Sequence, residues 1–174
     1  MDEDLSIINA NTRNEKIKNF FINNKNKLIS VVVILVIVVI SVYSFDKYTI
    51  NKKKEISDAF NSITIEHSES IKDKTANSLM EIVNKKDPTY SPLSLYFIID
   101  NNLITDKGVV NSLFNTLIEE TSLENEIKNL VIYKKALYNS DSAQESDLLS
   151  MLNPLINSKS VWKSHALYLM AEYF

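Results

Sequence analysis

The sequence predicts an all-α protein in which a single N-terminal transmembrane helix precedes a domain of antiparallel helical repeats. Three observations carry this prediction. Residues 28–45 contain no charged side chain, although 24% of the chain is charged. One glycine and three prolines in 174 residues are too few for the many turns of a β-sandwich. Beyond residue 55, apolar residues recur at spacings of three and four, which is typical of helices that bury one face.

Residues 1–27 form a short charged tail that holds five basic and four acidic side chains. Ile17, Phe20 and Phe21 give this tail a weak helical spacing. We interpret it as a solvated or interfacial flank of the membrane span, on the cytoplasmic side. The alternative is a docking segment for a cytoplasmic partner.

Residues 28–45, LISVVVILVIVVISVYSF, have the length and composition of a membrane span. Eighteen helical residues extend about 27 Å, close to the roughly 30 Å hydrocarbon core of a bilayer. A buried strand would be much shorter, and a cleavable signal would be followed by small residues, where this chain has VYSFDKY. We therefore predict a retained transmembrane helix.

The orientation of the span is not decided by charge. Five basic residues precede it within about twenty positions and four follow it, which is a weak asymmetry for the positive-inside rule. The short tail and the large C-terminal part suit a signal anchor with a cytoplasmic N-terminus. Residues 46–54, which contain the run NKKK, are assigned as a juxtamembrane linker.

Residues 55–174 are predicted to fold as a series of amphipathic helices with short joints. The first joint is expected near residues 66–72. The stretch DPTYSP at 87–92 breaks the chain again, with Ser91 as the helix cap and Pro92 at the first helical position. A clean apolar stripe then follows from Val109 to Ile118.

Two further helix starts are predicted from capping boxes, in which a hydroxyl and a glutamate three residues later satisfy first-turn amides. The first pairs Thr121 with Glu124, and the second pairs Ser142 with Glu145. Each box is followed by an apolar stripe, and a last stripe begins at Trp162 and runs to the end of the sequence.

The predicted helices recur as pairs. Tyr96, Tyr133 and Tyr168 lie at similar places in successive units, spaced 37 and 35 residues apart. Two antiparallel helices in about 34 residues is the tetratricopeptide period. Chance recurrence in a helix-rich chain is the alternative. Because the last helix is strongly apolar and a stable cap has a more polar outer face, we expect the natural array to continue beyond Phe174. The alternative is that this helix packs back as a cap.

Several chemistries are excluded by composition. The chain has no cysteine, which removes disulfides, thiol catalysis and zinc–thiolate sites. Its single glycine, Gly108, cannot build a phosphate-binding loop. Residues 55–174 carry ten basic and seventeen acidic side chains, a balance of −7 that repels nucleic acid. We therefore expect no cofactor and neither a nucleic-acid partner nor a small-molecule substrate.

No residue pattern predicts a catalytic or metal site. His67 is interpreted as exposed helix surface and His165 as a packed or half-exposed residue beside the last apolar stripe. Four glutamates near one helix joint are interpreted as a solvated cap region: Glu119, Glu120, Glu124 and Glu126. No serine has the sequence context of a nucleophile. The chain is therefore predicted to be a non-enzyme.

A charged tail, an early span and degenerate helical repeats together resemble one bacterial family. It is that of the ancillary subunits of the Sec translocon, the YfgM-like proteins with a tetratricopeptide repeat-like domain. EISDAFNSI is similar to the family's first helix after the anchor, and PTYSPLSLYFIIDNNLITDKGVVNSLFNTLIEETS to its first clear repeat. SVWKSHALYLMAEYF is similar to a later helix that begins near a tryptophan.

The resemblance implies an inner-membrane protein with a periplasmic repeat domain that associates with the translocon and periplasmic chaperones and helps exported proteins. Tyr96, Tyr133 and Tyr168 are then the candidate protein-binding residues, because aromatic side chains often anchor protein contacts. Core packing is the alternative role for each. Two other functions stay open: an anchored scaffold for cell division or envelope assembly, and the anchor of an enzyme whose catalytic part lies beyond Phe174.

Overall fold

The structure is a computed structural model that describes the backbone of residues 2–173 and the side chains of residues 13–173. In this part of the chain it has helices and turns but no strand. The α-helices are α1 (Asp2–Asn23), α2 (Lys25–Ile65), α3 (Lys72–Asn84), α4 (Tyr90–Asp100), α5 (Lys107–Asn115), α6 (Asn125–Asn139), α7 (Glu145–Ile156) and α8 (Lys163–Tyr173). The all-α prediction is confirmed.

The chain divides between Asn51 and Lys52 into two compact units. In the first unit, the side chains from Ile29 to Asn51 are all exposed. Among the described helices, α2 alone is long and apolar enough to cross a membrane, and none of its most apolar stretch is buried. This exposure distinguishes α2 from the core helix of a soluble protein and is compatible with single-pass anchoring.

Two boundaries in the second half of α2 bear on the predicted organisation. Residues 46–54, assigned above as a linker, are helical and belong to α2. The joint expected near residues 66–72 is confirmed, because α2 ends at Ile65 and α3 begins at Lys72 after a short 3₁₀ turn, Glu69–Ile71.

The second unit has two hydrophobic clusters. The first cluster lies among the end of α2, α3, α4, α5 and one face of α6, and Phe114 is its largest fully buried side chain. Its buried members are Ile56, Ala76, Leu79, Ile82, Val83, Leu95, Ile98, Leu103, Val110, Leu113, Phe114, Leu117 and Val131. The apolar stripe predicted from Val109 to Ile118 supplies four of these side chains.

The second cluster lies among α6, α7 and α8. Its buried members are Ala136, Leu148, Leu152, Leu155, Ala166 and Leu169. Helix α6 therefore takes part in both clusters, with Val131 in the first and Ala136 in the second. Helices pack chiefly on their neighbours in sequence, and α7 packs on both α6 and α8. This packing does not by itself define a tetratricopeptide repeat, so the repeat character stays a prediction.

A polar ladder joins α5 to α6. Asn111 and Asn139 exchange two amide hydrogen bonds of 2.9 and 2.8 Å. On one side of this pair Lys107 donates to Ser142, and on the other Lys135 donates to the side chain of Asn115. Because these contacts recur at one-turn intervals along α5, they fix the register of the two helices.

The helix starts differ from the sequence expectations in their capping groups. At α4, the Asp87 carboxylate accepts from the amides of Thr89 and Tyr90, at 2.9 and 2.7 Å, so Asp87 is the capping side chain and not Ser91. Ser91 and Pro92 lie within the first turn of α4. Ser91 is fully buried there, and its hydroxyl donates to the Ile82 carbonyl and accepts from the Asp87 amide.

The predicted capping boxes are also wrong. Helix α6 begins at Asn125, and the Thr121 hydroxyl donates back to the Thr116 carbonyl. Helix α7 begins at Glu145, and Ser142 donates to the Asn139 carbonyl at the end of α6. Both hydroxyls thus satisfy carbonyls of the preceding helical segment, which compete with first-turn amides for the same side chains.

A π-helical turn, Thr116–Glu120, continues α5. Such turns are uncommon and accommodate an extra residue inside an otherwise α-helical run. Leu117 within this turn is fully buried in the first cluster, and Glu120 forms an exposed ion pair with Lys86 at 2.6 Å.

Candidate functional site

Tyr96 lies half-buried on α4, beside α6. The Lys134 ammonium lies 4.6 Å from the centre of its ring, within the range of a cation–π contact. The phenolic oxygen is buried, and no described residue forms a hydrogen bond with it. Burial raises the pKa of the Tyr96 hydroxyl well above its ordinary value. The part of this side chain that a ligand can reach is therefore the ring.

A cleft of about 460 Å³ lies beside Tyr96 and is named here the first cleft. It is lined by Lys53, Pro88, Thr89, Pro92, Leu93, Tyr96, Glu124, Ile127 and Leu130. Its wall is mostly apolar, and Leu93 and Ile127 are 41% and 38% exposed. Exposed aliphatic side chains next to an aromatic ring are typical of surfaces that bind other proteins.

A smaller cleft of about 140 Å³, the second cleft, also has Tyr96 in its wall. Its other lining residues are Ile99, Asp100, Lys134, Leu137 and Tyr138. Tyr96 thus borders both clefts. Each cleft has one cationic and one acidic residue in its lining, Lys53 and Glu124 in the first and Lys134 and Asp100 in the second.

Tyr133 occupies a different environment. Its ring stacks on Trp162, with centroids 5.8 Å apart and planes 21° from parallel, and it meets His165 edge-on. Trp162 and His165 also contact each other, so the three rings form a cluster where α6 meets the start of α8. Tyr133 packs against the second hydrophobic cluster, which is the packing role considered above.

Tyr168 is 63% exposed on α8. A hydrogen bond between its hydroxyl and Glu172 raises its pKa. The three tyrosines selected by their spacing therefore have three separate sets of neighbours. Tyr96 borders both clefts, whereas Tyr133 and Tyr168 are in the lining of neither.

The histidines and the four glutamates near one helix joint form no cluster of metal ligands among the described residues. His67 is not on an exposed helix surface as expected; it follows the end of α2, is half-buried, lies 3.3 Å from the Thr75 hydroxyl and contacts Phe97 edge-on. Glu120 pairs with Lys86, whereas Glu126 accepts from Ser160 at 2.7 Å. No group of three potential metal ligands converges anywhere in the described residues.

Sequence reasoning missed most of the walls of the first cleft. Ile127, Leu130 and Val131 have the spacing of one apolar stripe, yet Ile127 is exposed and Leu130 half-buried, while Val131 is fully buried. The apolar stripe of this helix is wider than the face that the core covers. Its width is a signal that some of these apolar side chains face solvent and are available to a cleft. The contact of Lys134 with the Tyr96 ring could not be predicted from the sequence, because two adjacent lysines on a helix are common.

Comparisons of the chain with protein-family models, with curated proteins and with solved structures find no match. The family resemblance therefore stays a prediction, and the site has to be interpreted from its own geometry.

Proposed function

We propose that this protein is a membrane-anchored scaffold whose first cleft binds a segment of another polypeptide. The observation that carries the proposal is the exposed apolar wall formed by Leu93, Ile127 and the ring of Tyr96. Such a wall gains free energy when an apolar side chain of a partner covers it, by about 25 cal/mol for each Å² removed from water.

The composition of the two cleft linings suits a polypeptide ligand. Each cleft combines apolar walls with one positive and one negative side chain, as in the apolar centre and polar rim of protein interfaces. The exposed apolar helix supports anchoring, which would raise the local concentration of the scaffold near its partners. A weak interaction is then sufficient for function.

The more specific proposal is that the domain lies in the periplasm and binds exported proteins near the Sec translocon, together with periplasmic chaperones. This proposal is supported by the order of segments along the chain: a charged tail, an early apolar span and a helical domain. It requires a cytoplasmic N-terminus, and both the side of the membrane and the partners can be tested directly.

The side of the membrane is tested by protease treatment of bacterial cells whose outer membrane is permeabilised and whose inner membrane is intact. We expect residues 55–174 to be digested while a cytoplasmic control protein survives. Protection of this domain until the inner membrane is lysed would contradict the periplasmic proposal and leave a cytoplasmic anchored scaffold.

The binding surface is tested by placing a photoreactive phenylalanine at Leu93, in the first cleft, or at the exposed Asp141, which lies in the loop after α6. We expect light-dependent adducts with translocon subunits and exported proteins from position 93 but not from position 141. Equal yields from both positions, or none from position 93, would contradict the proposal.

The role of the Tyr96 ring is tested by paired substitutions in the same assay. Tyr96→Ala should weaken capture at position 93, because truncating an aromatic anchor costs about 2 kcal/mol, or roughly thirtyfold in Kd. Tyr96→Phe should retain capture because it keeps the ring and removes a hydroxyl that is covered. Equal loss in both variants would assign the contact to the hydroxyl instead.

A further inference from the structure

The N-terminal flank of the apolar helix carries a second apolar feature that the proposed function does not use. Ile17, Phe20 and Phe21 on α1 are 50%, 57% and 57% exposed. The two phenylalanine rings contact each other edge-on, with centroids 6.1 Å apart. They form a largely exposed aromatic pair in the same unit as the apolar stretch of α2.

The spacing of these residues places them on one stripe of α1. At about 100° per residue, Phe20 and Phe21 lie roughly 60° to one side and 40° to the other side of Ile17. The stripe is therefore about 100° wide, which is the width of the apolar face of an amphipathic helix. Ile22 lies outside the stripe.

Lysines border this stripe on both sides. With Ile17 as the origin, Lys18 lies at about +100° and Lys16 at about −100°. Lys25 and Lys27 follow the turn at Asn24, where the segment meets the span. Residues 13–27 carry five basic side chains and one acidic one. Apolar rings flanked by long cationic side chains match a bilayer surface, because the rings can enter the interface while each lysine extends to the headgroups.

We propose that residues 16–27 bind the surface of an anionic bilayer, with Phe20 and Phe21 in the interface and the four lysines on lipid headgroups. The inference rests on the proposed membrane anchoring, because the apolar stretch of α2 begins at Leu28 and holds this segment at the surface. Its occupant is lipid and not a protein, for two reasons: the segment is continuous with the span, and its charge is complementary to acidic headgroups.

The segment has to bend to reach the interface. Along a straight helix normal to the membrane, Phe21 would lie about 10 Å from Leu28, at or beyond the outer edge of the headgroup layer. A turn at Asn24 separates α1 from α2, and the side-chain amide of Asn24 donates to the Phe20 carbonyl at 2.9 Å. Asn23, Asn24 and Asn26 have low helix propensity, so a bend between Asn23 and Lys27 costs little.

The test uses the full chain in a Trp162→Phe background, which removes the only tryptophan. A single tryptophan is then introduced by Phe21→Trp or, as a matched control, by Asn19→Trp, which lies about 160° around the helix from residue 21. Both proteins are reconstituted in vesicles of phosphatidylcholine with phosphatidylglycerol. Quenching is measured with brominated lipids and with acrylamide.

We expect the Phe21→Trp protein to be quenched by bromines near the headgroup end of the acyl chains and shielded from acrylamide, and the Asn19→Trp protein to show the reverse. Omitting phosphatidylglycerol, or replacing all four lysines by glutamine, should restore acrylamide quenching to the Phe21→Trp protein. Each lysine is expected to change the partition of the segment onto the surface about fivefold.

Two results would overturn the proposal. Acrylamide access to the Phe21→Trp protein in anionic vesicles would show a solvated tail, available to a protein partner. Quenching by bromines deep in the bilayer would show a longer span instead of a surface segment. A Val36→Trp variant separates these failures from a failure of anchoring: if it is not quenched by lipid, the span itself has not inserted.

Discussion

The two hydrophobic clusters of the second unit differ in size and in what they bury. The first has thirteen buried apolar side chains around Phe114 and also encloses polar groups such as Ser91 and Ser94. The second has six, three of them leucines of α7, and ends at the Tyr133–Trp162–His165 rings. Apolar burial is common to both clusters, whereas Ser91 and Ser94 differ in whether their buried hydroxyls have hydrogen-bond partners within the described residues.

The largest expected effect is the loss of the Phe114 ring. Phe114→Ala should lower the free energy of unfolding by about 3–5 kcal/mol, because a fully buried aromatic side chain leaves a cavity at the centre of the first cluster. Chemical denaturation measures the loss. Native-state hydrogen exchange should show faster exchange in α3–α5 than in α7–α8.

Leu152→Ala is the matched change in the second cluster, since Leu152 is also fully buried. It should cost about 2–5 kcal/mol and accelerate exchange in α7 and α8 first. If both variants accelerate the same amides to the same extent, the two clusters behave as one cooperative core and the distinction between them fails.

A smaller effect concerns a buried hydroxyl that has partners. Ser91→Ala should lower the free energy of unfolding by about 1–3 kcal/mol, because the Ile82 carbonyl and the Asp87 amide would lose their hydrogen bonds to a fully buried side chain. Thermal and chemical denaturation measure the change.

Ser94 supplies the control, because it lies on the same helix, is equally buried, and its hydroxyl has no hydrogen bond within the described residues. Ser94→Ala should raise stability by about 1 kcal/mol through removal of an unsatisfied polar group and a gain in helix propensity. If both variants lost a similar amount of free energy of unfolding, the hydrogen-bond partners of the hydroxyl would not explain the difference expected between the two serines.

The smallest effect is expected at the polar ladder between α5 and α6. Asn111→Ala should cost about 1 kcal/mol, because Asn139 loses both of its hydrogen bonds with Asn111 but keeps the bond from its side-chain amide to the Lys135 carbonyl. Asn115→Ala, which removes an exposed contact with Lys135, should cost less than about 0.5 kcal/mol. Denaturation of both variants checks this order, and an equal loss would argue against a role for burial at the ladder.

The sequence predicted the features that depend on periodicity. Val110, Leu113, Phe114 and Leu117 were placed on one face by their spacing, and all four are buried in the first cluster. The capping groups were predicted wrongly, because a hydroxyl near a helix joint can bond to either side and local sequence does not decide which. Thr121 and Ser142 bond backwards, whereas Asp87 caps α4.

The cleft and the ladder depend on contacts between distant parts of the chain. Asn111 and Asn139 are 28 residues apart, and the first cleft needs α4 and α6 side by side before Leu93 and Ile127 share a wall. Spacing alone also selected Tyr133 and Tyr168, which do not border the clefts. A period identifies equivalent positions, but neighbouring helices decide what each position contacts.

The π-helical turn Thr116–Glu120 has a consequence for how the chain can change in length. One residue added to an α-helix rotates every later side chain by about 100° and takes its apolar stripe away from the core. The π turn already contains one such extra residue, and its Leu117 is fully buried in the first cluster. A natural variant that gains or loses one residue within this turn would therefore move Leu117 relative to the cluster, whereas the same change at Ser122 or Glu124, in the non-helical segment before α6, would leave the buried side chains of both helices in place.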